Sequence, residues 1–152
     1  GVVNHHNYLT AEQIIRQCTS KAKHYTDDGR VIPPASYHVV IWKDGSRTIF
    51  VADNLRAWHA GDSEFKGLIS CNNFMLGACF HCNSNKEPLT FSQIDSYIEW
   101  LAPRIVKWRI KYDWITDHRT VAPGRKVDLN PVEQKRILEA IKWMFNDINV
   151  KG

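Results

Sequence analysis

No apolar run in the 152-residue chain approaches the roughly 18 residues that a membrane-crossing helix needs, so membrane insertion is not expected. Repeats, low-complexity tracts and linker-like stretches are also missing, and the length fits one domain over residues 1–152. Cysteine is scarce. Cys18, Cys71, Cys79 and Cys82 do not have the spacing of a small disulfide framework. Cys79 and Cys82 bracket His81 in a C-x-x-C, which has two readings: a zinc-binding pair, or core thiols of a reducing compartment. The surrounding "MLGACFHC" reads as a buried strand, which favours core thiols. A large charge excess is absent too. The net charge of +4 permits an anionic partner, either nucleic acid or a cell wall bearing carboxylates and phosphates, and selects neither. No export leader is visible.

What is present argues for a folded chain. Hydrophobic residues make up 43% and charged residues 24%, and six tryptophans speak against disorder. A chain of this size buries a core without staples. Thr10-Ala11-Glu12-Gln13 and Thr90-Phe91-Ser92-Gln93 each fit the reciprocal T-x-x-Q capping pattern. Asn130-Pro131 places a capping residue before a proline at the first helical position. The helices that follow carry apolar stripes. The first is Ala11, Ile14, Ile15, Cys18 and Ala22. The second is Ile94, Tyr97, Ile98, Leu101, Ile105, Trp108 and Tyr112, running through Pro103. The third is Ile137, Leu138, Ile141, Met144, Phe145 and Ile148. Strands are expected at Val2–His5, His38–Lys43, Ser46–Val51, Met75–His81 and Trp114–Thr116, with a tight turn at Asp44-Gly45. The order predicts an α/β domain with a mixed central sheet flanked by helices.

One constellation carries chemistry. Zinc hydrolases use three protein donors, commonly His and carboxylate, and leave a fourth position open. His5 or His6 ends the first strand, His118 follows the last strand, and Asp128 lies beyond the Pro123-Gly124 turn. Donors at strand ends converge at one edge of a sheet. Lys126 is two residues from Asp128, so in an extended segment both point the same way. A cation there can stabilise the oxyanion that forms when an amide is attacked. The alternative is a solvated Lys126–Asp128 ion pair of about 0–1 kcal/mol.

The stretch "HRTVAPGRKVD" resembles the HRDVAPGRKTDPG motif of the zinc-dependent N-acetylmuramoyl-L-alanine amidases, a superfamily that includes the peptidoglycan recognition proteins and small phage amidases. "VVNHHNYLT", "SYHVVIWKDGSRTIFV", "RAWHAGDS" and "NNFMLGACF" resemble further motifs of that family in the same order, so the likeness spans residues 2 to 130. It implies a peptidoglycan-recognition-protein-like fold and a Zn2+ ion held by His5, His118 and Asp128, with His6 the competing first ligand. It implies Tyr37 and Lys126 as catalytic residues. His38 beside Tyr37 is read as structural. Trp58, His59 and Asn72 are candidates for substrate contact. A core position for Trp58 and a turn role for Asn72 and Asn73 are the alternatives. Where many bacterial members carry a glutamate base, Cys79 stands here. This departure points to the phage-type subgroup.

The implied activity is cleavage of the amide between N-acetylmuramic acid and L-alanine of the peptidoglycan stem peptide. The leaderless layout suggests a monomeric phage endolysin, made in the cytoplasm and acting on the bacterial wall. A recycling or remodelling amidase and a non-catalytic peptidoglycan-binding module are the alternatives. A metal-dependent nuclease is suggested only by "NHHN" and the basic charge, and no nucleic-acid partner is expected. Arg119 is read as a structural ion pair. Arg104, Lys107, Arg109 and Lys111 are either a solvated helix face or an attractor for an anionic wall.

Overall fold

The computed structural model describes residues 1–151, with side chains through Asn146. Strand β1 (Val2–Asn7) leads into α1 (Ala11–Thr19) and a small hairpin, β2 (His24–Tyr25) and β3 (Val31–Ile32). Next come β4 (Val39–Ile41), β5 (Arg47–Ile49) and a second small hairpin, β6 (Glu64–Phe65) and β7 (Leu68–Ile69). The chain continues with β8 (Leu76–His81), α2 (Phe91–Trp108), β9 (Ile115–Asp117), α3 (His118–Val121) and α4 (Pro131–Lys151). Five strands form one sheet in the order β5-β4-β8-β1-β9. β1 runs parallel to both β8 and β9, β4 parallel to β8, and β5 antiparallel to β4. This is the expected mixed sheet in an α/β domain. The two small hairpins are additions that the apolar pattern did not announce.

Alternation along the strands gives the sheet two different faces. Val2, Val39, Ile41, Leu76, Ala78 and Phe80 pack with Tyr97 and Leu101 of α2 and Ile137 and Ile141 of α4. On the opposite face, Val40 and Cys79 pack with Ile14 of α1 and with Tyr37, while Val3 joins Ala60, Met75 and Val121. His5 shares the parity of Val3 and therefore belongs to this second face. The same alternation removes the C-x-x-C as a metal pair. Cys79 lies in one cluster and Cys82 in the other, all four thiols are free, and the sheet separates these two.

Helix starts follow their caps. Thr10 and Thr90 both form reciprocal boxes with Gln13 and Gln93, and Asn130 accepts from Val132 N at 2.9 Å. Two stripes are cut differently from the apolar spacing. α1 ends at Thr19, short of Ala22, and turns Ile14 and Gln17 inward while Ile15 stays exposed. Gln17 tolerates burial because its amide accepts from Asn7 at 3.0 Å and donates to Pro33 O at 2.7 Å. α2 passes through Pro103 but stops at Trp108, short of Tyr112. Arg109 takes a left-handed conformation (φ 50°), and Ile110 N closes back on Ile105 O at 3.1 Å. Ile148 lies outside the described side chains. The helix cations do not act as one face either. Arg104 pairs with Asp53 at 2.9 Å, whereas Lys107 and Arg109 are exposed. Arg119 pairs with Asp117 at 3.3 Å, as its structural reading requires.

The β4–β5 turn needs Gly45 twice over. Its φ is 87°, and a Cβ there would lie 2.8 Å from Ser92 O. Beside it, the Thr90 hydroxyl accepts from Gln93 N at 3.0 Å and donates to Lys43 O at 2.7 Å, tying α2 to the hairpin. Thr90→Ala therefore removes a cap and a tertiary bond, and is expected to cost about 1–2 kcal/mol in urea unfolding. Thr10→Ala, which removes a cap alone, is expected to cost less, and equal losses would contradict the added tertiary role.

Candidate metal centre

β1 and β9 lie side by side and parallel, with Asn4 opposite Asp117. The residue that follows each of these is a histidine, so His5 and His118 arrive together at the same edge. Asp117 caps α3 by accepting from Thr120 N at 2.9 Å, which turns the chain immediately after β9. His118, the first residue of α3, is buried by that turn. The chain then returns through Pro123 and Gly124. Arg119 N donates to Asp128 O, and the fully buried Leu129 anchors the returning strand in the main core. Asp128 thereby faces the two imidazoles.

The three donors form a compact triangle. His5 Nδ1 is 3.0 Å from His118 Nδ1 and 3.6 Å from Asp128 Oδ2, and His118 Nδ1 is 3.3 Å from Asp128 Oδ1. All three residues are buried, and among the described residues they are the group of His, Cys, Asp and Glu side chains close enough to share an ion. His6 does not compete. It points to the other side of β1, where its Nδ1 meets Ser84 Oγ at 2.7 Å and accepts from Ser84 N at 3.0 Å. Its contribution is its backbone N–H, which donates to Asp128 Oδ2 at 3.2 Å.

The hydrogen-bond partners decide which ring nitrogens carry protons. His59 Nε2 lies 2.9 Å from Met75 O, and a carbonyl only accepts, so that nitrogen donates. Burial, then the His5 ring, push the His59 pKa well below its usual value, so the ring is neutral and Nδ1 is an acceptor. His5 Nε2, 3.0 Å from His59 Nδ1, must then carry the hydrogen. Burial, then His118, bring His5 from the usual 6.5 to about 4, so its Nδ1 holds a lone pair. His118 Nε2 donates to Ala60 O at 3.2 Å, which turns its Nδ1 toward His5 and Asp128. Two ring nitrogens and a carboxylate thus face one another.

This donor set fits zinc. Two imidazole nitrogens and a carboxylate are its usual catalytic-site ligands. Donors about 2.0–2.1 Å from a shared ion at tetrahedral angles stand roughly 3.3 Å apart, close to the three separations found here.

A groove of about 810 Å³ opens beside the triangle, lined by Tyr37, Trp58, His118 and Lys126 together with Cys18 and Lys21 of the α1 end. Tyr37 is buried, its ring centroid 5.4 Å from that of His5, and its hydroxyl accepts from Asn7 Nδ2 at 3.3 Å. Lys126 is half-buried and Asp128 buried, while Val127 between them is 65% exposed. Trp58 is 58% exposed on the groove wall, with the Arg56 guanidinium 4.2 Å from its ring centroid. His38 is structural as expected, with Nε2 on Leu55 O at 2.7 Å and Nδ1 accepting from Gly77 N at 3.0 Å.

Two residues expected at the substrate, His59 and Asn72, line the groove and are also tied into the fold. His59 is 4% exposed, with both nitrogens engaged inside the protein. Asn72 Oδ1 accepts from His59 N at 3.0 Å and Ala60 N at 2.8 Å, which clamps the loop and leaves that oxygen unavailable to a ligand. The sequence signal that could have found this was the run of small residues around His59 (Ala57, Ala60 and Gly61), which lets backbone approach closely.

The sequence model of the N-acetylmuramoyl-L-alanine amidase family matches residues 1–131. The 1,6-anhydro-N-acetylmuramyl-L-alanine amidase AmpD of Haemophilus influenzae is 37% identical over 110 residues, covering 70% of this chain and 59% of that protein. The chain thus spans little more than half the length of that curated relative. A selenomethionine derivative of AmpD superposes with a TM-score of 0.76 at 23% identity, over 90% of this chain and 82% of that one. AmiD from E. coli, solved with anhydro-N-acetylmuramic acid-L-Ala-D-γ-Glu-L-Lys, gives 0.72 at 20% identity, over 91% of this chain and 56% of that one. At those identities the superpositions establish the fold.

The neutral, buried imidazoles have a thermodynamic consequence. His5 is freely protonated in the unfolded chain below about pH 6.5 but resists protonation in the fold down to about 4. The unfolded state therefore binds more protons in that window, and stability falls as pH drops through it. Urea midpoints of chelator-treated protein are expected to decline steadily from pH 6.5 to 4. A flat profile would contradict neutral burial of these rings.

Proposed function

This chain belongs to the N-acetylmuramoyl-L-alanine amidase family, and from that premise we propose that it hydrolyses the amide between N-acetylmuramic acid and the L-alanine of the stem peptide, with zinc held by His5, His118 and Asp128. The observation that carries this reading is the buried triangle of two Nδ1 atoms and a carboxylate at the edge of the groove. When bound there, zinc supplies Lewis acidity, acidifying water toward a pKa of about 7 and polarising the amide carbonyl.

The chain's own residues supply the rest. Lys126 lines the groove beside His118, and its role in this reading is to stabilise the oxyanion that develops as water adds to the carbonyl carbon. Tyr37 is the proton donor of the site. Burial, then the neighbouring Cys79, push its pKa well above the usual 10, so the phenol stays protonated. Asn7 donates to its oxygen and holds the phenol at the groove wall. From there it orients water or passes a proton to the departing alanine nitrogen as the C–N bond breaks. Cys79 cannot take the part of a carboxylate base, because burial raises its thiol far above the ordinary range and it faces no solvent. Trp58 offers an apolar face for sugar or stem peptide.

The substrate class we favour is a muropeptide carrying the anhydro sugar. The H. influenzae relative is named for that substrate, and AmiD was solved with an anhydro-muramyl tripeptide. Attack on intact walls, the action of a lysis enzyme, is the competing outcome of the same experiment. Mass spectrometry of anhydro-muropeptides and of whole cell walls after incubation is expected to show free stem peptide chiefly from the former. Activity should vanish with a chelator and return with zinc. Lys126→Ala and Tyr37→Phe should each lower kcat by about 10²–10³-fold with a smaller change in KM. Binding without cleavage by zinc-loaded protein would overturn the enzymatic reading in favour of a binding module, and full activity after chelation would overturn the metal.

A further inference from the structure

The loop Ala57–Gly61 touches the outer nitrogen of both imidazoles. His59 Nδ1 faces His5 Nε2 at 3.0 Å, and the next residue's carbonyl accepts from His118 Nε2 at 3.2 Å. The loop is itself fixed from two sides. Asn72 takes both N–H groups of His59 and Ala60, and Arg125 Nη2 donates to Ala60 O at 2.6 Å and Asp62 O at 2.7 Å. Underneath, β8 makes room for the ring. A Cβ at Gly77 would stand 2.5 Å from His59 Cγ. A space-filling imidazole would need none of this, and its Nδ1 would have no reason to meet a histidine donor.

We propose that His59 is a positioning residue for the metal centre described above: by accepting the Nε2 hydrogen of His5 it fixes the His5 tautomer and ring angle, and so holds the Nδ1 lone pair toward His118 and Asp128. The role rests on the zinc reading of the triangle. A neutral imidazole without such a partner divides its hydrogen between the two nitrogens, and the fraction protonated at Nδ1 cannot ligate. His59 is in turn fixed by Met75 O, so the order runs from backbone to His59 to His5. His59 touches no substrate in this role.

Two substitutions of similar size separate positioning from packing. His59→Asn keeps an acceptor near the Nδ1 position, and His59→Leu removes it; both leave Met75 O without its ring partner. Competition against a chelator is expected to show zinc binding weakened by about 10–100-fold in His59→Leu and largely kept in His59→Asn. Unchanged affinity in His59→Leu, or equal losses in both, overturns the proposal. Absence of zinc uptake by the unsubstituted protein overturns the metal reading itself. A measurement on the zinc-free, unsubstituted protein needs no variant to fold. Its ¹⁵N imidazole spectrum at neutral pH is expected to show His5 protonated at Nε2, and protonation at Nδ1 overturns the positioning role while leaving zinc binding to be read separately.

Discussion

Electron-rich atoms held about 3 Å apart in a buried corner repel one another unless positive charge lies among them. Two ring nitrogens and a carboxylate are held that way here, and the surrounding structure works to keep them there. The outer nitrogens are committed to the fold, His5 through His59 to Met75 O and His118 to Ala60 O. That commitment turns the inner nitrogens toward the carboxylate. Under the proposed reading the triangle is a place prepared for a cation, and hydrogen bonds that never touch the ion would orient its ligands.

The sheet explains how such a corner arises. Parallel strands bring their C-terminal ends to one edge, and β1 lies between the central strand β8 and the edge strand β9. One ligand comes from β1 and one from the turn after β9. The third comes from a return segment held by the Arg119 backbone and the buried Leu129. The far face of the sheet is closed by α2 and α4 with a largely apolar cluster, and the triangle lies on the opposite face.

Much of this could be read in advance because it depends on local chemistry. The caps at Thr10, Thr90 and Asn130 are short-range, and the Asp44-Gly45 turn is forced by φ. His5 and His118 meet because neighbouring parallel strands align their ends. What could not be read depends on contacts between distant segments. The left-handed Arg109 that ends α2 early is set by Ile110 finding the core. Ile15 is left exposed because the Gln17 amide is claimed by Asn7 and Pro33. The inward turn of His59 requires the missing side chain at Gly77, 18 residues further on, and the Asn72 oxygen is taken by a loop 12 and 13 residues away. Each of these residues has a familiar surface or groove role by type, and only the fold assigns it another.

The ligands' positions along the chain carry one more consequence. His5 and His118 are 113 residues apart, and Asp128 lies later still. An ion grasped by all three would clasp the start of the polypeptide to its last third, closing a loop that embraces nearly every strand. Such a clasp withdraws freedom from the unfolded chain in the manner of a long-range cross-link and favours the native form by mass action. Loss of such an ion would then loosen the molecule as a whole, and not only the corner that held it.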